Sequence, residues 1–298
     1  MRFCPNTPIL ARFALIWSIL YDYRGFLTVK NVFWRNYIMK SPAEIASRYE
    51  AAGKGKTELA AGKTFLLGIL AGAYIALGGL GSQIASCCAA DPSAARMVSS
   101  VVFPIGLFMV LIGGAELFTG NCLIIIPVLS GKAKLTGMLR NWVLVYFGNM
   151  VGGLIIALIA AFSHIYSFDG GNLATMVVNT AVTKANISFG DGLLRGILCN
   201  VLVCLAVWCS FAADELAGKV LALWLPVMLF IICGFEHCVA NMYFIPAGLI
   251  TSAVYGVPAE GLSLFGFFIT NLIPVTIGNI IGGSLCVGAA YYVAYLKD

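Results

Sequence analysis

Six stretches of this chain, at about 64–86, 98–130, 138–163, 189–211, 217–250 and 263–295, run almost without charge. A bilayer core about 30 Å thick asks for roughly 20 apolar residues per helical crossing, and every one of these stretches is long enough. Sixty per cent of the 298 residues are hydrophobic and ten per cent are charged, with a mean hydropathy of +0.94, a composition that leaves too little polar surface for a soluble protein of this length. Backbone amides in hydrocarbon must find partners within their own segment, so the stretches are predicted to be helices. The expected fold is therefore an all-α integral membrane protein with six transmembrane helices. A break in any of them has to be buried in protein or line a cavity.

Charge sets the orientation and narrows the class. Of the 18 lysines and arginines, all but Arg96, Lys184 and Arg195 fall in segments that share one side if the spans alternate. The positive-inside rule then puts both termini in the cytoplasm. The basic residues punctuate the gaps between apolar runs and do not gather on one face, so the net charge of +5 gives no support to nucleic-acid binding. Cys122, Cys199, Cys204, Cys209, Cys233, Cys238 and Cys286 lie in or beside apolar runs without a C-x-x-C pair and read as small packing residues. Cys87 and Cys88 form the one adjacent pair. Residues 1–39 do not fit the pattern: Ile9 to Leu20 is short and split by Arg12. We expect this extension to precede the natural start, with Met39 first and Ser41-Pro42-Ala43-Glu44 opening an amphipathic helix. An interfacial helix anchored by Trp17 and Trp34 is the alternative. Residues 40–298 then form a single membrane domain.

The chain repeats itself. Gly114, Glu116 and Asn121 recur as Gly234, Glu236 and Asn241 at the same three positions of an eight-residue window. Asn141, Val145, Gly148, Asn149, Gly152 and Gly153 recur as Asn271, Val275, Gly278, Asn279, Gly282 and Gly283, and Gly68-Ile69-Leu70 as Gly196-Ile197-Leu198. Two copies at about 64–163 and 189–295, each with three spans, must lie upside down relative to one another. The first windows fall inside spans two and five, so these are predicted to be broken helices whose N-termini face a substrate path. A half-helix N-terminus carries about half a positive charge and suits an anion. Glu116 and Glu236 are the carboxylates at that depth. They serve either as proton carriers or, the reading we favour, as partners for backbone amides freed by the breaks, with Asn121 and Asn241 in the same windows. His237 stands beside Glu236, and an ionisable group inside a span is a functional site by default. The Gly-Asn-x-x-Gly-Gly elements read as helix-packing sites.

These residues resemble the formate/nitrite transporter family of bacterial, archaeal and some eukaryotic membranes. Gly114 to Asn121, Asn200 to Trp208, Gly234 to Met242 and Asn271 to Asn279 look like its signatures in the correct order, and the likeness covers about residues 40–298. The resemblance implies an aquaporin-like fold and a homopentamer with a pore in every protomer, in the cytoplasmic (inner) membrane. It implies no enzyme activity, cofactor or metal. It makes Leu117, Phe118 and Thr119 the loop that interrupts span two, His237 the central pore histidine and Asn200 a pore asparagine. Lys184 becomes the residue drawing anions into the outer vestibule, and Phe103, Leu107, Val203 and Phe230 the apolar constrictions. The implied substrate is a small anion of a weak acid, formate first, with nitrite and hydrosulfide as alternatives. A water or neutral-solute channel of the inverted-repeat type would be expected to follow Asn121 and Asn241 with Pro-Ala, whereas Cys122 and Met242 stand there. An enzyme would need a nucleophile with its base, or a cluster of metal ligands.

Overall fold

The computed structural model describes residues 39–297; the proposed extension, apart from Met39, lies outside the described residues. The first helix, α1 (Pro42–Glu58), starts where Ser41 and Glu44 cap each other: the Glu44 amide donates to the Ser41 hydroxyl at 3.3 Å and the Ser41 amide to the Glu44 carboxylate at 2.8 Å. It buries Ile45, Ala46, Tyr49, Glu50 and Gly53, one stripe at helical spacing, and turns its lysines outward or to the side. Glu50 is tied to Lys132 of the loop beyond span two.

Beyond α1 the described residues form α2 (Ala61–Ser86), α3 (Pro92–Gly113), α4 (Phe118–Leu129), α5 (Leu135–Phe162), α6 (Asn172–Ala185), α7 (Phe189–Ser210), α8 (Leu216–Ile232), α9 (Cys238–Tyr255) and α10 (Gly266–Tyr295), with a 3-10 segment at Ile165–Gly171 leading into α6. Six of them are long and apolar enough to cross a membrane, and the short apolar helices α4 and α8 complete the predicted second and fifth spans. The two predicted interruptions are real: the chain leaves helical geometry at Gly114 to Leu117 and at Cys233 to His237.

Large apolar side chains cover the outside, and polar ones are buried among the apolar core. Leu66, Phe147, Ile159, Leu194, Leu221 and Leu285 are exposed, whereas Asn121, Asn141, Asn149, Asn200, Asn241, Asn271 and Asn279 are buried. This is the arrangement for a chain whose solvent is lipid. Close helix approach replaces hydrophobic collapse. A Cβ on Gly152 of α5 would overlap the Ile69 carbonyl of α2, and one on Gly282 of α10 would overlap the Ile197 carbonyl of α7. These are equivalent positions of the two copies, and backbone contact this tight admits no side chain. Each copy also begins one helix earlier than its first span. The α1–α2 pair precedes span two as α6–α7 precedes span five, and α6 lies in what the sequence shows as an outer loop.

Candidate functional site

Both broken spans are ended and restarted by the same devices. Gly114 (φ +78°) and Gly234 (φ +69°) take the left-handed conformation that terminates α3 and α8. The Glu116 amide then donates to the Leu67 carbonyl at 3.2 Å, and the Glu236 amide to the Arg195 carbonyl at 3.4 Å. The restarting half-helices receive a side-chain cap from across the bundle. Asn149 Oδ1 accepts the Phe118 amide at 2.9 Å, and its Nδ2 donates to the carbonyls of Gly68 (2.8 Å) and Glu116 (3.0 Å). Asn279 does the same for the Cys238 amide (2.9 Å) and the carbonyls of Gly196 (2.7 Å) and Glu236 (3.0 Å). The amides of Glu116, Phe118, Glu236 and Cys238 are thus met by these asparagines and by neighbouring carbonyls. Glu116 and Glu236, expected to hold these amides, sit inside the breaks but engage their carboxylate oxygens with a lysine and an asparagine side chain each, so they support the breaks without capping them.

Those clusters are a matched pair. Glu116 Oε1 binds Lys56 Nζ at 2.6 Å and Oε2 accepts Asn121 Nδ2 at 2.7 Å; Asn121 also donates to Asn141 Oδ1, and Asn141 to the Lys56 carbonyl. Glu236 binds Lys184 Nζ at 2.9 and 3.0 Å and accepts Asn241 Nδ2 at 2.7 Å; Asn241 donates to Asn271, and Asn271 to the Lys184 carbonyl. Three candidate spans separate α1, which carries Lys56, from α6, which carries Lys184. Lys56 is a site residue that sequence reasoning missed, although its place relative to Glu116 mirrors that of Lys184 to Glu236. Asn149 and Asn279 were seen, but as packing residues.

The symmetry fails where the half-helix N-termini meet. Aligning Glu116 with Glu236 sets Leu117 opposite His237. His237 caps α9, its Nδ1 accepting the Ala240 amide at 3.2 Å, and its Nε2 lies 2.8 Å from Thr119 Oγ1. Thr119 is held from behind: its carbonyl accepts Asn200 Nδ2 at 3.2 Å and Cys204 Sγ at 3.4 Å, and Asn200 also donates to the Asn279 carbonyl at 2.6 Å. His237, Thr119 and Asn200, far apart in sequence, therefore form one buried unit with the Asn279 cap.

Apolar side chains flank this unit. On one side a cavity of about 510 Å³ is lined by Arg48, Lys56 and Lys219 at its charged end and by Leu107, Leu117 and Val207 at its apolar end. Val203 lies one turn of α7 beyond Val207 and is buried. Toward Lys184, the Phe230 ring lies 6.0 Å from the His237 ring, Phe103 meets Phe230 edge-on at 5.6 Å, and Lys184 Nζ stands 5.5 Å over Phe244. Two of the expected pathway residues have partners of their own. The Phe118 ring is taken up by Tyr146 (4.9 Å) and Trp142 (6.0 Å) of α5, and Lys184, expected to draw anions into the outer vestibule, has its charge matched by both Glu236 oxygens.

Buried half-helix termini, a polar junction and apolar plugs on a six-span helical scaffold define a polytopic membrane transport protein. The sequence matches the model of the formate/nitrite transporter family over residues 43–293. It is 37% identical to a probable formate transporter of Methanothermobacter thermautotrophicus over 87% of this chain and 98% of that one. It is likewise 37% identical to the formate channel FocA of Escherichia coli K12, over 86% and 95%. A solved pentameric formate channel with formate bound aligns at TM-score 0.73 with 37% identity, covering 80% of this chain and 98% of that one. An ion channel of the same family aligns at 0.76 with 29% identity, over 84% and 98%. The chain belongs to the formate/nitrite transporter family.

Proposed function

We propose that this protein passes small monovalent anions of weak acids across the cytoplasmic membrane, formate foremost, as a homopentamer with one pathway per protomer. The supporting observation is the Thr119–His237 junction, where two half-helix N-termini meet between apolar plugs. Relatives named as formate channels, one solved as a pentamer with formate bound, support the choice of substrate and assembly. Nitrite and hydrosulfide are the alternatives within the family.

Moving a bare anion past Leu107, Leu117, Phe103 and Phe230 would strip its water in a medium that returns little, so the pathway has to offer donors or let the substrate travel neutral. Cavity lysines and Arg48 gather the anion at one face, and the Lys184 cluster receives it at the other. At the junction the ring chemistry is set by the cap. Because Nδ1 accepts the Ala240 amide, the proton of the neutral imidazole sits on Nε2 and is donated to Thr119 Oγ1. An imidazolium would aim a second N–H at the Ala240 N–H and add a cation beside the positive end of α9. The resting ring is therefore a neutral donor, and the substrate exchanges for Thr119 at Nε2. Charging His237 in acid breaks the cap, which couples the junction to pH.

The test is flux in proteoliposomes with formate, nitrite, hydrosulfide, acetate and lactate in competition, formate being expected to dominate. His237→Asn keeps a donor without a titration and should conduct with little pH response; His237→Phe removes the donor and should lower flux about tenfold or more, the scale of losing one charge-assisted hydrogen bond. A His237→Asn channel that still shifts between export and import with pH refutes the role.

A further inference from the structure

Cys87 and Cys88 stand just past the end of α2, on the face of the molecule opposite α1, with their sulfurs 3.5 Å apart. Cys88 is exposed, and its thiol donates to Asp169 Oδ2 at 3.4 Å. The same oxygen accepts Asn172 Nδ2 at 2.9 Å, and Asn172 opens α6, the helix that carries Lys184. Asp169 holds φ +52° and ψ +49°, a left-handed conformation that aspartate adopts more readily than most non-glycine residues. None of these groups takes part in the proposed transport, so their chemistry is independent of that reading.

We propose that Cys87 and Cys88 are a reversible thiol–disulfide couple, closing to a vicinal disulfide under a small-molecule disulfide oxidant. The thiolate of one cysteine attacks a sulfur of the oxidant, forming a mixed disulfide and expelling one thiol. The neighbouring cysteine displaces the second thiol. The protein loses two electrons and two protons, and the oxidant becomes two thiols. The second step is intramolecular between sulfurs already in contact, which favours closure over accumulation of the mixed species. Adjacent Cα atoms are about 3.8 Å apart, shorter than the usual 4.4 Å or more for bridged cysteines, so the closed form is easily reduced again, as labile disulfides are. Orientation by positive charge puts this face outside, where oxidants persist. Closure takes from Cys88 the hydrogen that it shares with Asp169 and unties the α2 end from the loop leading into α6.

Cys88 is held as a thiol: its bond with Cys87 and then that with Asp169 push it up to about 11. Oxidation should therefore be slow at neutral pH and quicken by up to about tenfold per pH unit on the alkaline side. The experiment treats purified, reduced full-length protein with oxidised glutathione, alkylates the remaining thiols and maps peptides by mass spectrometry. The peptide holding Cys87 and Cys88 should lose both alkylation sites, weigh two hydrogens less than its reduced form, and recover with dithiothreitol. Cys88→Ser should instead trap glutathione on Cys87, and Asp169→Asn should close several-fold faster than the parent. Two cysteines that stay alkylatable, or a parent protein that keeps glutathione as the Cys88→Ser variant does, would overturn the proposal.

Discussion

Leu117 and His237 occupy one position in two copies of the same unit, and the proposed pathway draws its chemistry from that difference. The histidine is held by a backbone amide on one ring nitrogen and by Thr119 on the other, whereas its counterpart lines the apolar end of the cavity. Asn149 and Asn279 show how much a single buried amide can organise. Each satisfies one freed N–H and two carbonyls that hydrocarbon would leave unpaired. Replacing Asn279 with leucine strands three polar groups, each worth about 1–3 kcal/mol when buried unmet. We expect a fall of several degrees in the thermal midpoint measured in detergent, with flux lost at temperatures where the protein stays folded, since the Cys238 amide that the Asn279 side chain holds directly follows His237 at the start of α9. The repeated asparagines are visible in the sequence. Their capping role is not, because the amide each one meets is 31 or 41 residues away.

Helix packing is set by backbone contact. At Gly152 the α2 and α5 backbones touch through the Ile69 carbonyl, so any side chain must drive the helices apart. Overpacking of this kind costs about 1–3 kcal/mol even in forgiving sites. Gly152→Val should thus destabilise markedly in a thermal melt, while Gly62→Ala, where nothing lies within 4 Å of the added carbon, should be neutral or slightly stabilising. An unchanged midpoint for Gly152→Val would show that the helices separate freely. The periodic small residues announced these contacts. The role of α6 was hidden, because a 14-residue helix of middling polarity between two spans reads as loop until its lysine is seen against Glu236.

At the scale of the whole molecule, the proposed pentamer predicts that native mass spectrometry from mild detergent will show five copies of the chain. The proposed orientation predicts that, after treatment with a reductant, a membrane-impermeant maleimide labels Cys88 from the outside of intact cells and leaves it unlabelled in sealed inside-out vesicles; the reverse pattern would invert the topology. Six spans, two breaks and a repeated pattern of residues were legible in the sequence, because lipid imposes one simple requirement: a segment surrounded by hydrocarbon must be apolar and helical, and any departure stands out. The partners at each break were decided by the tertiary structure alone. Lys56 meets Glu116 across 60 residues of chain and Thr119 meets His237 across 118. Such pairings have no local signature, since they depend on how the two repeated halves pack and on which distant groups that packing brings within reach of each buried charge and amide.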